Sequence, residues 1–159
     1  MCKIEYYKNY WDYIDNISLN SMEFSNNKEK IEFKETINFD ATSYTSTAGD
    51  KLIFSLNVLN RATFIPKRYK NRSLPLQISR GYTDEDSFKI LLPSDLEITT
   101  IPEPLSIKTE FGNYISKVEK LADGALLYTR KLEIFDGFFP KESYKEYRDF
   151  RKEIAKHDN

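Results

Sequence analysis

The last third of the chain constrains the fold most, because its hydrophobic pattern changes period there from two residues to about 3.6. Apolar and polar residues alternate along "LSIKTEF", "YISKVEKLA" and "LLYTRKLEIF", which predicts three antiparallel strands with one buried face. Gly112-Asn113 and Asp123-Gly124 separate these stretches and suit hairpin turns, where φ is often positive. We therefore expect a three-stranded meander with a two-residue turn at Asp123-Gly124.

A helical period follows the last of these strands. Asp136-Gly137 ends the predicted sheet, and Pro140 stands at or just before a helix start, where proline is tolerated. The spacing of apolar residues then predicts an amphipathic helix over residues 141–157. Its apolar stripe, with Arg151 at the border, comprises Tyr144, Tyr147, Phe150 and Ile154. Because the opposite face is polar, the helix should pack on a sheet.

The first half of the chain gives weaker signals. "IEFKETINFD" and "KLIFSLNVLN" each alternate with a period of two, and we expect them to pair as a hairpin. Residues 15–29 are polar and predict mostly loop. The expected organisation is an aromatic N-terminal segment over residues 1–29, which would be the exit from a preceding core, and a single β domain over residues 30–159.

These patterns predict a mainly β fold. We expect an antiparallel β-sandwich of immunoglobulin-like build, with the C-terminal amphipathic helix packed against one sheet. The helix would cover an apolar face, or an edge that invites pairing with another chain. A chain of 159 residues is long enough to bury a real core in one domain.

Composition restricts the partners. The formal net charge of −1 argues against a nucleic-acid binder, which needs an excess of Lys and Arg to neutralise phosphates. No apolar run approaches the roughly 20 residues that span a bilayer. The start, "MCKIEYYKNYWDYIDN", has no signal-peptide apolar region. We expect a cytoplasmic protein if the chain is complete, and a periplasmic or envelope protein if it is part of a larger exported one.

The residues needed for thiol or zinc chemistry are scarce. The chain has one cysteine, Cys2, and one histidine, His157, near opposite ends. We expect both ends to be mobile, and a mobile end cannot hold a catalytic geometry. A structural zinc site needs about four Cys, His or carboxylate ligands. The sequence therefore predicts no catalytic residue, no metal site and no cofactor.

Two other chemistries lack local support. No glycine-rich phosphate loop is present. The acidic run "TDEDS", Thr83 to Ser87, lacks the ligand spacing of an EF-hand, so we interpret it as a solvated turn and leave weak surface calcium binding open. Acid pairs for glycoside hydrolysis stay open, since any two of the 25 acids could converge.

Three features allow a binding interpretation beside a structural one. Arg130 lies on the apolar face of a strand, as a structural partner of a carboxylate or as a ligand clamp. The basic stretch 61–80 is a solvated loop or an anion site. An aromatic cluster near the N terminus is part of the core, or a stacking platform for a sugar or a partner surface. Its members are Tyr6, Tyr7, Tyr10, Trp11 and Tyr13.

The sequence "FGNY" followed by "LLYTRKLEIFDGFFPKESYKEYRDFRKEI" resembles the C-terminal β domain of bacterial transglutaminase-like, or cysteine-protease-like, proteins typical of Bacteroidetes. "NRSLPLQI", "SFKILLP" and "IPEP" also look like strands of that domain. The resemblance extends over residues 30–157. The pattern of an aromatic residue, an arginine, a glycine, a proline and a helical stripe falls on Tyr128, Arg130, Gly137, Pro140, Tyr144, Phe150 and Ile154.

The resemblance implies a role without chemistry. In that family an N-terminal β domain precedes a transglutaminase-like core, and a C-terminal β domain of unknown function follows it. No Cys, His or Asp of the core's triad has a counterpart here, so we expect no enzyme activity. The expected function is a non-catalytic accessory domain that packs on or positions such a core. The expected partner is that upstream domain of the same protein, or another protein. The alternative is a stand-alone carbohydrate- or peptide-binding β-sandwich module, and a third hypothesis is a hydrolase with dispersed carboxylates.

Overall fold

The computed structural model describes residues 11, 14, 17–42 and 44–158. The chain divides into two compact units, Met1–Leu59 (unit 1) and Asn60–Asn159 (unit 2). The strands in the described part are β1 Ile17–Asn27, β2 Glu32–Ala41, β3 Ser46–Ala48, β4 Lys51–Ile53, β5 Leu76–Ile78, β6 Tyr82–Ile90, β7 Leu105–Thr109, β8 Gly112–Lys120, β9 Leu126–Ile134 and β10 Gly137–Phe139. A 3₁₀ turn, Lys141–Ser143, leads into helix α1, Tyr144–His157.

The described residues of unit 1 form two antiparallel pairs, β1 with β2 and β3 with β4. The prediction of mostly loop over residues 15–29 is wrong, because β1 pairs with β2 along its length. A register shift between Leu19 and Ser21 explains the error. This bulge adds a residue to one strand, so the apolar positions of β1 lose the period of two. The predicted pairing of β2 with residues 51–60 is also wrong, since β4 pairs with β3.

The core of unit 1 lies on one face of the β1–β2 ribbon. Trp11 and Ile17 are buried there, and Met22, Ile37 and Phe39 pack against them. The predicted buried face of β2 is therefore confirmed at Ile37 and Phe39 and is wrong for Ile31 and Phe33, which are 94% and 61% exposed. The domain boundary that the sequence suggested after residue 29 falls inside this unit, in the turn between β1 and β2.

Unit 2 contains a four-stranded antiparallel sheet in the order β6-β9-β8-β7. The predicted meander is confirmed as β7, β8 and β9, and β6 joins it beside β9. The predicted turn at Gly112-Asn113 is wrong, because both residues belong to β8 and the turn lies at residues 110–111. The run "TDEDS" lies inside β6, so its interpretation as a turn is wrong. A separate pair, β5 with β10, contributes to the same core through Leu76 and Phe139.

The hairpin turn between β8 and β9 is longer than predicted. The amide of Leu121 donates to the Ala125 carbonyl at 2.8 Å, which leaves residues 122–124 as the loop. Asp123 Oδ1 accepts a hydrogen bond from the Ala125 amide, and Gly124 has φ of 83°. The Asp-Gly pair thus supplies both the side-chain acceptor and the left-handed residue, but in a three-residue loop.

Helix α1 packs its apolar stripe on the sheet. Tyr144, Phe150 and Ile154 are buried in one cluster with Tyr114 and Leu132 of the strands. The helical period and its stripe are therefore confirmed, as is a mainly β, antiparallel fold with one C-terminal helix in the described residues.

The approach of β8 to β9 at the edge of this core requires a glycine. Gly112 has φ of 155°, and a Cβ at this position would clash with the Glu133 carbonyl oxygen of β9. Gly124 also has a positive φ, but no heavy atom lies within 4 Å of its Cβ position. Gly112 is therefore required for steric reasons as well as for its φ, whereas Gly124 is required for its φ alone.

We expect Gly112→Ala to destabilise the chain by about 3 kcal/mol or more, because conformational strain and a backbone clash add. Gly124→Ala is the control and should cost about 1–2 kcal/mol from strain alone. Urea unfolding followed by circular dichroism measures both free energies of unfolding. Equal losses for the two variants would show that the close approach at β9 does not limit the fold.

Candidate functional site

A polar row crosses the inner face of the four-stranded sheet. Arg130 on β9 lies opposite Asp86 on β6 and Ser116 on β8. The next inward position on β9 is apolar, since Leu132 is buried in the core. A guanidinium in such surroundings must find partners, because an unpaired buried charge costs several kcal/mol.

Arg130 is paired on both sides of its guanidinium. Nη1 lies 2.7 Å from Asp86 Oδ2, while Nε and Nη2 lie 3.2 and 2.9 Å from the two oxygens of Asp158. The side chains of Arg130 and Asp158 are fully buried, and that of Asp86 is 10% exposed. Burial favours the neutral guanidine, but the carboxylates outweigh it and raise the pKa of Arg130. The interpretation of Arg130 as a structural partner of a carboxylate is confirmed.

Asp158 follows the last residue of α1 and joins three parts of unit 2. Its Oδ1 accepts a hydrogen bond of 2.6 Å from Tyr114 Oη on β8, and its Oδ2 accepts one of 2.9 Å from the Ala62 amide. A carboxylate at this end of a helix is disfavoured by the helix dipole, so Arg130 must offset that cost. The expectation of a mobile C-terminal end is wrong for Asp158, which is 3% exposed.

A serine, a histidine and an aspartate lie close together here, which invites comparison with a catalytic triad. Ser116 Oγ and Tyr114 Oη lie 3.3 and 3.0 Å from His157 Nδ1. In a triad the carboxylate orients the histidine from the side opposite the nucleophile. Asp158 instead pairs with Arg130 and Tyr114, and Ser116 is only 1% exposed. This arrangement is a packed hydrogen-bond network in which the hydroxyl has no room for a substrate.

Two carboxylates of β6 face the same side of the sheet. Burial raises the pKa of Asp84, with Arg130 acting against the shift and Asp86 adding to it. Asp86 is held by Arg130 and accepts a hydrogen bond of 3.1 Å from Asn60 Nδ2. A raised pKa beside a second carboxylate is what an acid pair requires. The hypothesis of a hydrolase with dispersed carboxylates named no pair and stays a prediction.

The predicted aromatic surface is described at one residue. Trp11 is 8% exposed, and its ring centroid lies 5.4 Å from that of Phe39. The tryptophan therefore belongs to the core of unit 1. The other members of the predicted surface lie outside the described residues, as does Cys2. Those members are Tyr6, Tyr7, Tyr10 and Tyr13, and for them the ligand or partner surface stays a prediction.

A shallow depression of about 480 Å³ lies at one end of the sheet of unit 2. Its wall combines the loop after β6, including Leu91, Leu92 and Leu96, with Lys120 and the turn at Asp123. Asp123 is already paired with Lys89 at 2.7 Å. The depression offers apolar contact, and Lys120 and Glu97 are its other charged groups.

The described residues show neither a group of metal ligands nor a membrane-spanning helix. Among them, no three His, Cys, Asp or Glu side chains come together as a group that could hold a metal ion. Within the same part of the chain, no helix has both the length and the apolar character needed to cross a membrane.

Sequence reasoning found the central residue of the cluster but missed its partners. Arg130 was visible because it interrupts an apolar face. Asp84 and Asp86 share the inward face of β6, and this signal was available once "TDEDS" was assigned to a strand. Asp158 gave no local signal, because its partner lies 28 residues away.

Comparison with known proteins gives one match. Residues 50–159 match the model of a family described as a domain of unknown function with a solved structure, DUF3858. The matched range contains all of unit 2 and the end of unit 1. No curated protein and no solved structure matches the chain.

We expect Arg130→Met to destabilise the chain by about 3–5 kcal/mol, because it leaves the buried Asp158 carboxylate without its cation. The control is Lys89→Met, which breaks an ion pair whose two side chains are each 51% exposed and which solvent screens. Lys89→Met should leave the free energy of unfolding nearly unchanged. Urea unfolding compares the variants, and similar small losses would mean that the buried pairs do not fix the helix.

Two phenols near Arg130 predict alkaline lability. Burial, aided by the Asp158 carboxylate, raises the pKa of Tyr128 to about 12. Burial and the hydrogen bond to Asp158 raise the pKa of Tyr114. In the unfolded chain a tyrosine ionises near pH 10. Their contribution to stability is therefore complete below about pH 10 and is lost as the pH rises through the folded-state pKa values.

The urea midpoint should consequently fall between pH 9 and pH 12, and Tyr128→Phe should make that fall shallower, because one linked ionisation is removed. Tyr69→Phe serves as the control, since this ring is 54% exposed. Circular dichroism at each pH gives the midpoints. Parallel pH profiles for the three proteins would show that the Tyr128 phenol is not linked to unfolding.

Proposed function

The chain belongs to the DUF3858 family of domains of unknown function, and on this premise we propose that it is a non-catalytic accessory domain that packs on or positions a transglutaminase-like core. The resemblance of the ending to the C-terminal domain of transglutaminase-like proteins supplies the nature of the core. That link, and an origin in Bacteroidetes, are part of the proposal.

The observation that carries the proposal is the exposure of large apolar side chains beside the β5–β10 pair. Phe138 on β10 is 74% exposed, and Leu74, two residues before β5, is 70% exposed. Phe138 lies opposite Gln77 in the pair, so it belongs to a regular strand and not to a loose loop. A large apolar side chain that a regular strand holds in contact with water is typical of a surface that another protein covers.

The use of the polar groups supports a role without catalysis. Arg130, Asp86 and Asp158 neutralise one another and fasten α1 to the sheet. The one histidine shares its Nδ1 with two buried hydroxyls, those of Tyr114 and Ser116. Groups that already neutralise or hydrogen-bond one another are not arranged to act on a substrate.

We retain the immunoglobulin-like sandwich as the finer description of the fold within this proposal. Unit 2 supplies the four-stranded sheet and the β5–β10 pair as layers with a common core, to which Leu76 and Phe139 contribute. Helix α1 fills part of the same core. An accessory domain of this build would leave the outer side of β10 free for a neighbouring domain.

The test begins with the coding sequence that precedes Met1, which is read for a transglutaminase-like core in the same frame. Such a core, or one encoded elsewhere in the same genome, is then produced separately and titrated with the chain by calorimetry. We expect binding, and we expect the double variant Leu74→Ser, Phe138→Ser to weaken it at least tenfold, because burial of each side chain contributes about 1.5–3 kcal/mol.

The matched control is the double variant Leu91→Ser, Ile115→Ser, whose side chains are 74% and 44% exposed elsewhere in unit 2. It should bind the core like the parent chain. Absence of binding by the parent chain would contradict the accessory role. Equal weakening in the two double variants would remove Leu74 and Phe138 as the contact surface.

A further inference from the structure

One segment of unit 2 combines positive charge with exposed apolar rings. We name residues 61–72 the basic strap: they contain two lysines and three arginines and no acidic residue. Phe64, Ile65 and Tyr69 within it are 62%, 41% and 54% exposed. The strap therefore presents cations and apolar groups to solvent side by side, although the whole chain has a net charge of −1.

The basic strap runs along α1 in the opposite direction to the helix. Ala62 donates to Asp158, and the guanidinium of Arg151 lies 5.6 Å from the Phe64 ring. Further along, Arg148 Nε donates to the Pro66 carbonyl at 3.0 Å. The contacts of the strap thus move from the C-terminal end of α1 toward its N-terminal end.

The far end of the strap is fixed by aromatic and cation–π contacts. Tyr144 Oη donates to the Lys67 carbonyl at 2.7 Å, and its ring centroid lies 5.7 Å from that of Tyr69. The guanidinium of Arg72 lies 4.2 Å from the Tyr144 ring and donates to the Pro75 carbonyl. Side chains of the helix therefore hold the strap, though it has no regular secondary structure. Its outer surface has a defined shape before any partner binds.

Three cations of the strap are available to a partner. Lys67, Arg68 and Lys70 are exposed, and none of them forms an ion pair with another described residue. The lysines of the outer sheet face differ: Lys117 and Lys131 are each paired with a glutamate. Three cations of the strap are thus without an ion pair among the described residues, unlike these two lysines of the sheet.

We propose that the basic strap is a docking surface for a protein partner whose complementary surface is acidic with an apolar centre. The inference rests on the proposed accessory function and adds the charge of the surface that this domain recognises. Cations around exposed rings match an acidic rim around an apolar patch, an arrangement that steers association and fixes register. The apolar side chains would provide the buried centre and the lysines the rim.

The fixed shape of the strap favours a protein over a membrane or a nucleic acid. A lipid surface attracts a cluster of cations without any need for register. Single-stranded nucleic acid requires rings available for stacking along a continuous cationic groove. Here Tyr69 packs with Tyr144, and Arg72 lies over the Tyr144 ring, so both are partly engaged within the domain.

The experiment uses the full chain and four probes: the transglutaminase-like core, a soluble peptide that alternates glutamate and phenylalanine, vesicles containing phosphatidylglycerol, and a single-stranded oligonucleotide. Affinities are measured by calorimetry at two salt concentrations. The test variant is Lys67→Glu, Lys70→Glu. The matched control is Lys108→Glu, Lys120→Glu, which changes net charge equally at two exposed lysines away from the strap.

We expect the peptide to bind, with an affinity that falls as salt rises. The test variant should weaken this binding at least tenfold and the control variant less than twofold. Circular dichroism and thermal unfolding establish that both variants fold. Equal weakening by the two variants, binding to vesicles or oligonucleotide but not to the peptide, or no binding to any probe would each overturn the proposal.

Binding of the transglutaminase-like core distinguishes the accessory function from the proposal that the strap is the docking surface. If the transglutaminase-like core binds the parent chain and binds the test variant equally well, the basic strap is not the docking surface, while the accessory function stands. If the peptide binds through the strap and the core does not bind, the docking surface stands and the choice of partner is wrong.

Discussion

The buried pairing of Arg130 with Asp86 and Asp158 is the interaction on which the rest of unit 2 depends. Asp86 belongs to the strand next to Arg130, but Asp158 stands beyond the last residue of α1. The pair therefore joins the middle of the sheet to the end of the helix. Because Asp158 also accepts the Ala62 amide, the same carboxylate fixes the beginning of the basic strap. One buried ion set thereby positions a sheet, a helix and a surface segment.

The outer surface of unit 2 follows from that buried site. With the end of α1 fixed, Tyr144 and Arg148 stand where they can hold the Lys67 and Pro66 carbonyls. A helix displaced by one turn, about 5.4 Å, would carry both donors away from these acceptors. The exposed part of the strap has no regular hydrogen-bonded structure of its own, so its shape depends on its contacts with the helix. The buried ion pairs therefore determine the shape of this surface through the position of the helix.

Period and turn chemistry predicted the elements that are regular. The meander β7–β9 and the stripe of α1 were visible because burial repeats at two and at about 3.6 residues. The β1 strand was missed because its bulge breaks that repeat. The partners of Arg130 were missed for another reason: pairing across a sheet and with a chain end depends on register, which no local window contains. Asp158 was also missed as a partner of Arg130 because the C-terminal end was expected to be mobile.

An apolar stripe alone would not specify how α1 lies on the sheet. Burial of Tyr144, Phe150 and Ile154 is non-directional, so a helix shifted along the sheet recovers much of the same apolar area. The two-oxygen contact of Asp158 with Arg130 has one geometry, and any shift leaves a buried charge unpaired at a cost of several kcal/mol. Apolar residues in place of Arg130, Asp86 and Asp158 would keep the helix buried but would no longer favour one position of the helix on the sheet. The proposed action through the outer surface would need a single helix register, and the buried arginine supplies it.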